Sequence, residues 1–289
     1  MYSWFDCNTA FVKLRGVRIL NGKELSEYIT ERQARQIRTL RQSFRVVPKL
    51  AIIQTIDDPV IDTYVRLKRE YGEDILAEVA VHKIKQADLT STIQTLNEDD
   101  AVHGIIIQLP LADPSVTEQA VNMVLPAKDV DGLGEGATLT PATAMAIDWL
   151  LAGYNVQLRD RHIVIVGNGR LVGSPLAKLW RTAGLDVVVL DDQTEDLAGE
   201  VRKGQIVVTA TGVPGLITSQ MLQPGAAVVD AGTASEGGKL VGDVAADVRE
   251  RTDLSITPIK GGVGPLTVTA LFDNLILAAR ATVERVEKG

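Results

Sequence analysis

A chain of 289 residues, 45% hydrophobic and 23% charged, is long enough for two separate cores and has the balance of an ordinary globular enzyme. Its net charge of −7 offers no broadly basic face for nucleic acid. With Cys7 as the only cysteine, an intrachain disulfide or cysteine-based metal site is excluded, which fits a reducing cytoplasm.

In chain order, Gly22 to Phe44 carries Leu25, Ile29, Ile37, Leu40 and Phe44 among Arg and Glu, the spacing of an amphipathic helix. A buried strand is expected at 50–54, then a helix at 59–71 with Pro59 in its first turn. Strands at 76–81 and 102–107 alternate with helices at 89–97 and 116–124. Strands and helices at this spacing imply βαβ units and a parallel sheet. Residues 126–140 are rich in Gly and Asp and read as a junction, after which Thr140-Pro141 starts a helix over 142–152. Strands are then expected at 162–166, 186–190, 205–209 and 226–230, with a short one near 255–258 and a final helix from Leu266 to about Val286. The fold class is α/β with two α/β domains: 1–140 plus 266–289, and a Rossmann-type doubly wound domain over 141–265, with a cleft between them.

No apolar run approaches the ~20 residues that span a bilayer. Residues 1–13 include Asp6 and lack a basic segment followed by an apolar one, so no signal peptide is expected; residues 1–15 carry no motif. His82, His103 and His162 are scattered, so no metal is expected.

The strand Ile163–Val166 runs directly into Gly167-Asn168-Gly169-Arg170-Leu171-Val172-Gly173. A tight strand-to-helix turn needs glycine where the backbone bends and where it approaches a pyrophosphate, and the following helix start attracts that anion. The spacing is G-x-G-x-x-x-G rather than the commoner G-x-G-x-x-G. These residues are candidates for dinucleotide binding, together with Thr211 and Gly212 in the small-residue segment after the 205–209 strand. Asp191, 24 residues after Gly167, stands where a carboxylate meets the ribose hydroxyls of NAD and would repel a 2′-phosphate.

Tyr64 and Lys68 are four residues apart on one helical face. Three further segments accompany them: Gly104 to Pro110, Lys128-Asp-Val-Asp-Gly132, and Lys260-Gly-Gly-Val-Gly-Pro-Leu-Thr267. In order and spacing these segments, over about 19–280, resemble the methylenetetrahydrofolate dehydrogenase/methenyltetrahydrofolate cyclohydrolase family. The resemblance implies that Lys68 is the catalytic lysine, that Tyr64 stacks on the folate, that Gln108 hydrogen-bonds Lys68 and that Asp131 grips the pterin. Gly261, Gly262 and Pro265 would border the substrate. It also implies a homodimer and a nicotinamide cofactor.

The sequence departs from the family pattern at several points. Ile61 and Ile56 replace a usual serine and glycine, Lys260 replaces a proline, and Asn168 and Gly169 replace a basic residue and serine in the cofactor turn. Thr138-Leu-Thr-Pro141 keeps only the Thr-Pro of a longer signature. The acidic Asp191-Asp192 and the missing turn cation favour NAD over NADP. Ile61 and Lys260 are expected to alter the surroundings of Lys68. Besides the folate dehydrogenase, the alternatives are a divergent member acting on another reduced-pterin one-carbon carrier and a non-catalytic dinucleotide-binding homologue.

Overall fold

The computed structural model describes residues 18–236 and 239–288; Cys7 and the motif-free 1–15 segment lie outside the described residues. A short strand β1 (Arg18–Ile19) precedes α1 (Gly22–Phe44). Asn21 caps α1 by accepting from the Lys23 and Glu24 amides, as a side chain flanking a helix start does for unpaired N–H groups. Then come β2 (Lys49–Gln54), α2 (Pro59–Ile75), β3 (Glu78–Lys83), α3 (Leu89–Glu98), β4 (Gly104–Ile107) and α4 (Thr117–Met123). The three strands form a parallel sheet in the order β3-β2-β4.

Strand β4 starts two residues later than expected and the ends of β2 and α4 shift by one; two further differences share one reason. Helix α2 runs four residues past Tyr71, because Gly72 lies inside it where a Cβ would strike the Val79 side chain at 2.5 Å. This glycine serves close packing, not termination. The stop is instead made by Leu76, which adopts the left-handed conformation (φ 69°) usually left to glycine, so β3 starts two residues later than expected.

Helix α5 (Ala142–Gly153) leads into β5 (Ile163–Val166), α6 (Gly173–Thr182), β6 (Val187–Leu190), α7 (Leu197–Lys203), β7 (Ile206–Thr209), β8 (Ala227–Asp230), β9 (Ala234–Glu236), β10 (Lys239–Val241), β11 (Ser255–Ile256) and α8 (Val263–Lys288). Pro141, not Thr140, takes the cap position of α5, a one-residue difference in where the helix starts. Strands β1, β11, β8, β7, β5 and β6 form a parallel six-stranded sheet in that order. β9 and β10 pair as a separate antiparallel ribbon. Neither that ribbon nor β1 was expected from the sequence. Because β1 hydrogen-bonds β11, the start of the described chain completes the second sheet before the chain enters the first.

The runs Ile163–Val166 and Ile206–Thr209 are buried at every position, as strands covered on both faces must be. One apolar core is shared by α1, α5, α8 and the facing sides of both sheets, with Trp180, Phe272 and Leu150 fully enclosed. Two smaller cores cover the outer face of each sheet. Helix α8 packs along α1 and α5 and also reaches α2, β2 and β4. Its Val263–Glu284 stretch has the length and hydropathy of a membrane span, although no such run was expected. That stretch is 61% buried within the protein, and its apolarity serves this packing.

Candidate active site

The site begins at the C-terminal edge of the three-stranded sheet, where an open parallel sheet presents its ligand crevice. Asp58 caps α2 by accepting from the Val60 and Ile61 amides, and Pro59 sits in the first turn. This start fixes the rotation of α2: Ile61 and Val65 turn into the core, while Lys68 lines the cavity described below and Tyr64, half-buried one turn earlier, is not part of that lining. The Lys68 amine donates to Gln108 Oε1 at 2.7 Å. Gln108 follows β4, its amide bonded to the Ile53 carbonyl and its side-chain nitrogen donating to the Leu109 carbonyl. That second bond leaves the side-chain oxygen for the lysine.

The Lys128–Gly132 motif divides between support and chemistry. Lys128 donates to the carbonyls of Leu96, Asn97 and Asp99, closing the end of α3. Buried Asp129 accepts from the Gly132 and Gly134 amides. Asn274 of α8 donates to the Val130 and Thr140 carbonyls. Thus anchored, the loop projects Asp131 toward Lys68. Desolvation pushes the Asp131 carboxyl up to about 6, with the Lys68 charge opposing that rise and Asp129 adding to it. Desolvation also lowers the Lys68 amine from the ordinary lysine value, while Asp131 opposes the fall. Burial disfavours both charged forms, and each charge partly restores the other. Tyr64 has its phenol raised by burial.

Lys68, Gln108 and Asp131 line a cavity of about 130 Å³ with Ile106, Ile107, Leu109, Leu133, Ala142, Thr143 and Leu171. Leu171 is decisive, because it belongs to the glycine turn of the other sheet. The lysine cavity and the dinucleotide turn therefore share a wall. Sequence reasoning did not single out Leu171, Ala142 or Thr143, since an apolar residue in a turn carries no signal of what faces it. Ile61 and Lys260 do not line this cavity, so the two departures expected to disturb Lys68 leave its lining intact.

The glycine turn fits a dinucleotide. Gly167 has φ +101°, and a Cβ there would lie 2.6 Å from the Ala210 carbonyl oxygen. A Cβ on Gly173 would fall 1.8 Å from the Gly167 carbonyl oxygen, whereas Gly169 faces open space. The start of α6 has no side-chain cap; the Ser174 amide donates to the Gly169 carbonyl and Pro175 has no N–H, which leaves the Gly173 amide to meet an anion. Asn168 is exposed on the turn, and Asp191 is exposed where β6 ends, its carboxylate accepting from the Gln193 amide. Thr211 donates its amide to Asp243, and Gly212 (φ +70°) turns beside it at the end of β7. Arg170 is engaged elsewhere, its guanidinium 2.8 Å from the Glu118 carboxylate of α4. Gly261 (φ +82°) receives the Lys23 amide on its carbonyl, Gly262 packs against Thr257, and the Pro265 carbonyl accepts from Thr269 within α8.

Family models for the catalytic domain and for the NAD(P)-binding domain of tetrahydrofolate dehydrogenase/cyclohydrolase match residues 20–131 and 141–283. This chain belongs to the tetrahydrofolate dehydrogenase/cyclohydrolase family. It is 37% identical to the bifunctional protein FolD of Gluconacetobacter diazotrophicus over 284 residues, covering 92% of this chain and 91% of the relative. The structure of the bifunctional FolD enzyme from Campylobacter jejuni is similar with a TM-score of 0.87 at 33% identity, over 92% of this chain and 99% of that one. The Trypanosoma brucei methylenetetrahydrofolate dehydrogenase-cyclohydrolase, complexed with NADP and an inhibitor, gives 0.86 at 30% identity, over 93% and 99%. Within this tetrahydrofolate dehydrogenase/cyclohydrolase chain, a nicotinamide dinucleotide domain and a two-domain α/β fold are thereby established.

Proposed function

We propose that this protein oxidises 5,10-methylenetetrahydrofolate to the 5,10-methenyl cation with a nicotinamide dinucleotide and then hydrolyses the cation to 10-formyltetrahydrofolate. The observation that carries this reading is the single cavity in which Lys68 and Asp131 meet Leu171 of the glycine turn.

Gly167, Gly169 and Gly173 let the pyrophosphate approach the backbone, with Asn168, Thr211 and Gly212 beside it. When bound, the nicotinamide supplies the hydride acceptor. Lone pairs on the folate ring nitrogens stabilise the cation left behind, so the protein contributes placement more than a base. Asp131, ionised above about pH 6, accepts two hydrogen bonds from the pterin amino group and ring N–H, and Tyr64 offers its ring to the folate.

Hydrolysis requires an activated water. The lowered Lys68 amine is uncharged at a lower pH than an ordinary lysine, and Gln108 Oε1 orients it. As the carbon–oxygen bond forms, Lys68 takes a proton from the water. The carbon–nitrogen bond to the pterin ring nitrogen then breaks. Of the two protons that leave the water oxygen, one ends on that nitrogen and one in solvent.

The acidic Asp191 and the lack of a cation at positions 168 and 169 support NAD over NADP, membership of the family supports a homodimer, and the single cysteine supports a reducing, cytoplasmic setting. Methylenetetrahydrofolate with NAD should yield reduced-nicotinamide absorbance. Lys68→Ala should slow hydrolysis of the methenyl cation by about 100-fold or more, the scale of a lost general base, with dinucleotide affinity retained. No absorbance with either dinucleotide would overturn the dehydrogenase reading; unchanged hydrolysis in Lys68→Ala would overturn the role given to the lysine.

A further inference from the structure

The glycine turn is tied to the opposite side of the cleft by one ion pair. Arg170 of the turn reaches Glu118 in the first turn of α4 at 2.8 Å. Four residues along the same helix, Asn122 accepts the Glu135 amide at 2.8 Å, and Glu135 belongs to the loop that carries Asp131. That loop is also held by Asp129 through the Gly134 amide. A short chain of polar contacts thus runs from the dinucleotide turn through α4 to the Asp131 loop. Leu171, the neighbour of Arg170, is a wall of the Lys68 cavity.

We infer that Arg170 and Glu118 are a pair of positioning residues: their bond across the cleft sets Leu171 and the glycine turn at the working distance from Lys68 and Asp131. The inference rests on the dehydrogenase reading for its catalytic consequence but not for its structural one. Hydride transfer depends on the separation of donor and acceptor, so loosening the turn should lower turnover more than affinity. Both side chains are partly solvated, so salt should weaken the pair. A guanidinium that touched the dinucleotide directly would behave differently, with dinucleotide affinity lost in Arg170→Gln and retained in Glu118→Gln.

The test uses the full chain with NAD and methylenetetrahydrofolate, comparing wild type, Glu118→Gln, Arg170→Gln, the double neutral variant and the charge swap Glu118→Arg/Arg170→Glu. Each single variant should lower kcat about three- to fivefold, the range an exposed ion pair sustains, with KM for both substrates changed less than twofold. The double neutral variant should be no worse than either single one, and the swap should recover at least half of the lost kcat. In ligand-free protein, amide exchange of residues 168–173 should quicken in both single variants and in wild type at 0.5 M KCl. Additive losses in the double variant, a KM effect confined to Arg170→Gln, or unchanged exchange would each overturn the inference. A wild type without dehydrogenase activity would sink the functional reading alone, since the exchange arm would still decide whether the pair holds the turn.

Discussion

Asp131 provides a test in which stability and function must move in opposite directions. Its carboxyl is raised from 3.8 to about 6 in the folded protein, chiefly by desolvation. Below pH 4 it is protonated in folded and unfolded chains alike and contributes nothing to the pH dependence. Between about pH 4 and 6 the unfolded chain ionises first, so stability falls as pH rises. Above pH 6 the full cost is present, about 3 kcal/mol at roughly 1.4 kcal/mol for each pH interval of one. Asp131→Asn removes that cost, but it also withdraws the charge that supports protonated Lys68, so the net gain should be about 1–3 kcal/mol at pH 8. That gain corresponds to several degrees in Tm for a chain of this size. Thermal unfolding of wild type and variant at pH 8 and pH 4 measures it: the variant should melt higher at pH 8, and the advantage should vanish at pH 4. The same variant should bind methylenetetrahydrofolate at least tenfold more weakly, since a neutral amide cannot accept both hydrogen bonds from the pterin. An Asp131→Asn variant that melts below wild type at pH 8 would refute the claim that burial strains this carboxyl.

Two further outcomes follow from the dinucleotide side. Gly173→Ala places a methyl 1.8 Å from the Gly167 carbonyl oxygen; because backbone cannot yield as a flexible side chain would, dinucleotide affinity by calorimetry should fall more than about tenfold. Unaltered affinity would mean that the turn does not cradle the pyrophosphate. With methylenetetrahydrofolate as reductant, kcat/KM for NAD should exceed that for NADP by about 5- to 150-fold, the equivalent of 1–3 kcal/mol for a phosphate meeting an unpaired carboxylate. Equal values would remove Asp191 from the account of specificity.

The alternation of strands and helices was legible because each element carries its own period. Helix α1 is a case in point: Ile29, Ile37 and Leu40 are buried as their spacing predicts, and the helix packs on α8, while Phe44 at its end stays exposed. What escaped notice depends on contacts distant in sequence. Strand β1 is only two residues long and exists because Ser255 and Ile256 lie beside it; no local pattern announces it. Leu76 was unreadable as a helix stop because its left-handed backbone is imposed by surrounding structure against its own preference. Lys68, Gln108 and Asp131 could be picked out from motif order, and the structure brings them into one cavity. The same resemblance singled out Asp131, which meets the cavity, but gave no role to Lys128 and Asp129, which hold its loop. Nor could it find Glu118, an unremarkable acid on a short helix until Arg170 is placed against it. The ordered bond between Lys68 and Gln108 also tells against a purely binding homologue, for which a desolvated amine beside a strained carboxyl would be cost without use.

The pairing of β1 with β11 also has a consequence for biosynthesis. Of the described strands, Arg18–Ile19 leaves the ribosome first and Ser255–Ile256 last, yet they are neighbours in the sheet. A nascent chain lacking about its last 35 residues would have to hold β1 without a partner and leave the outer edge of β8 bare, an edge that invites pairing with other chains. Closure of this sheet must therefore await almost the entire polypeptide, the slow, non-local kind of assembly in which loop closure precedes any reward.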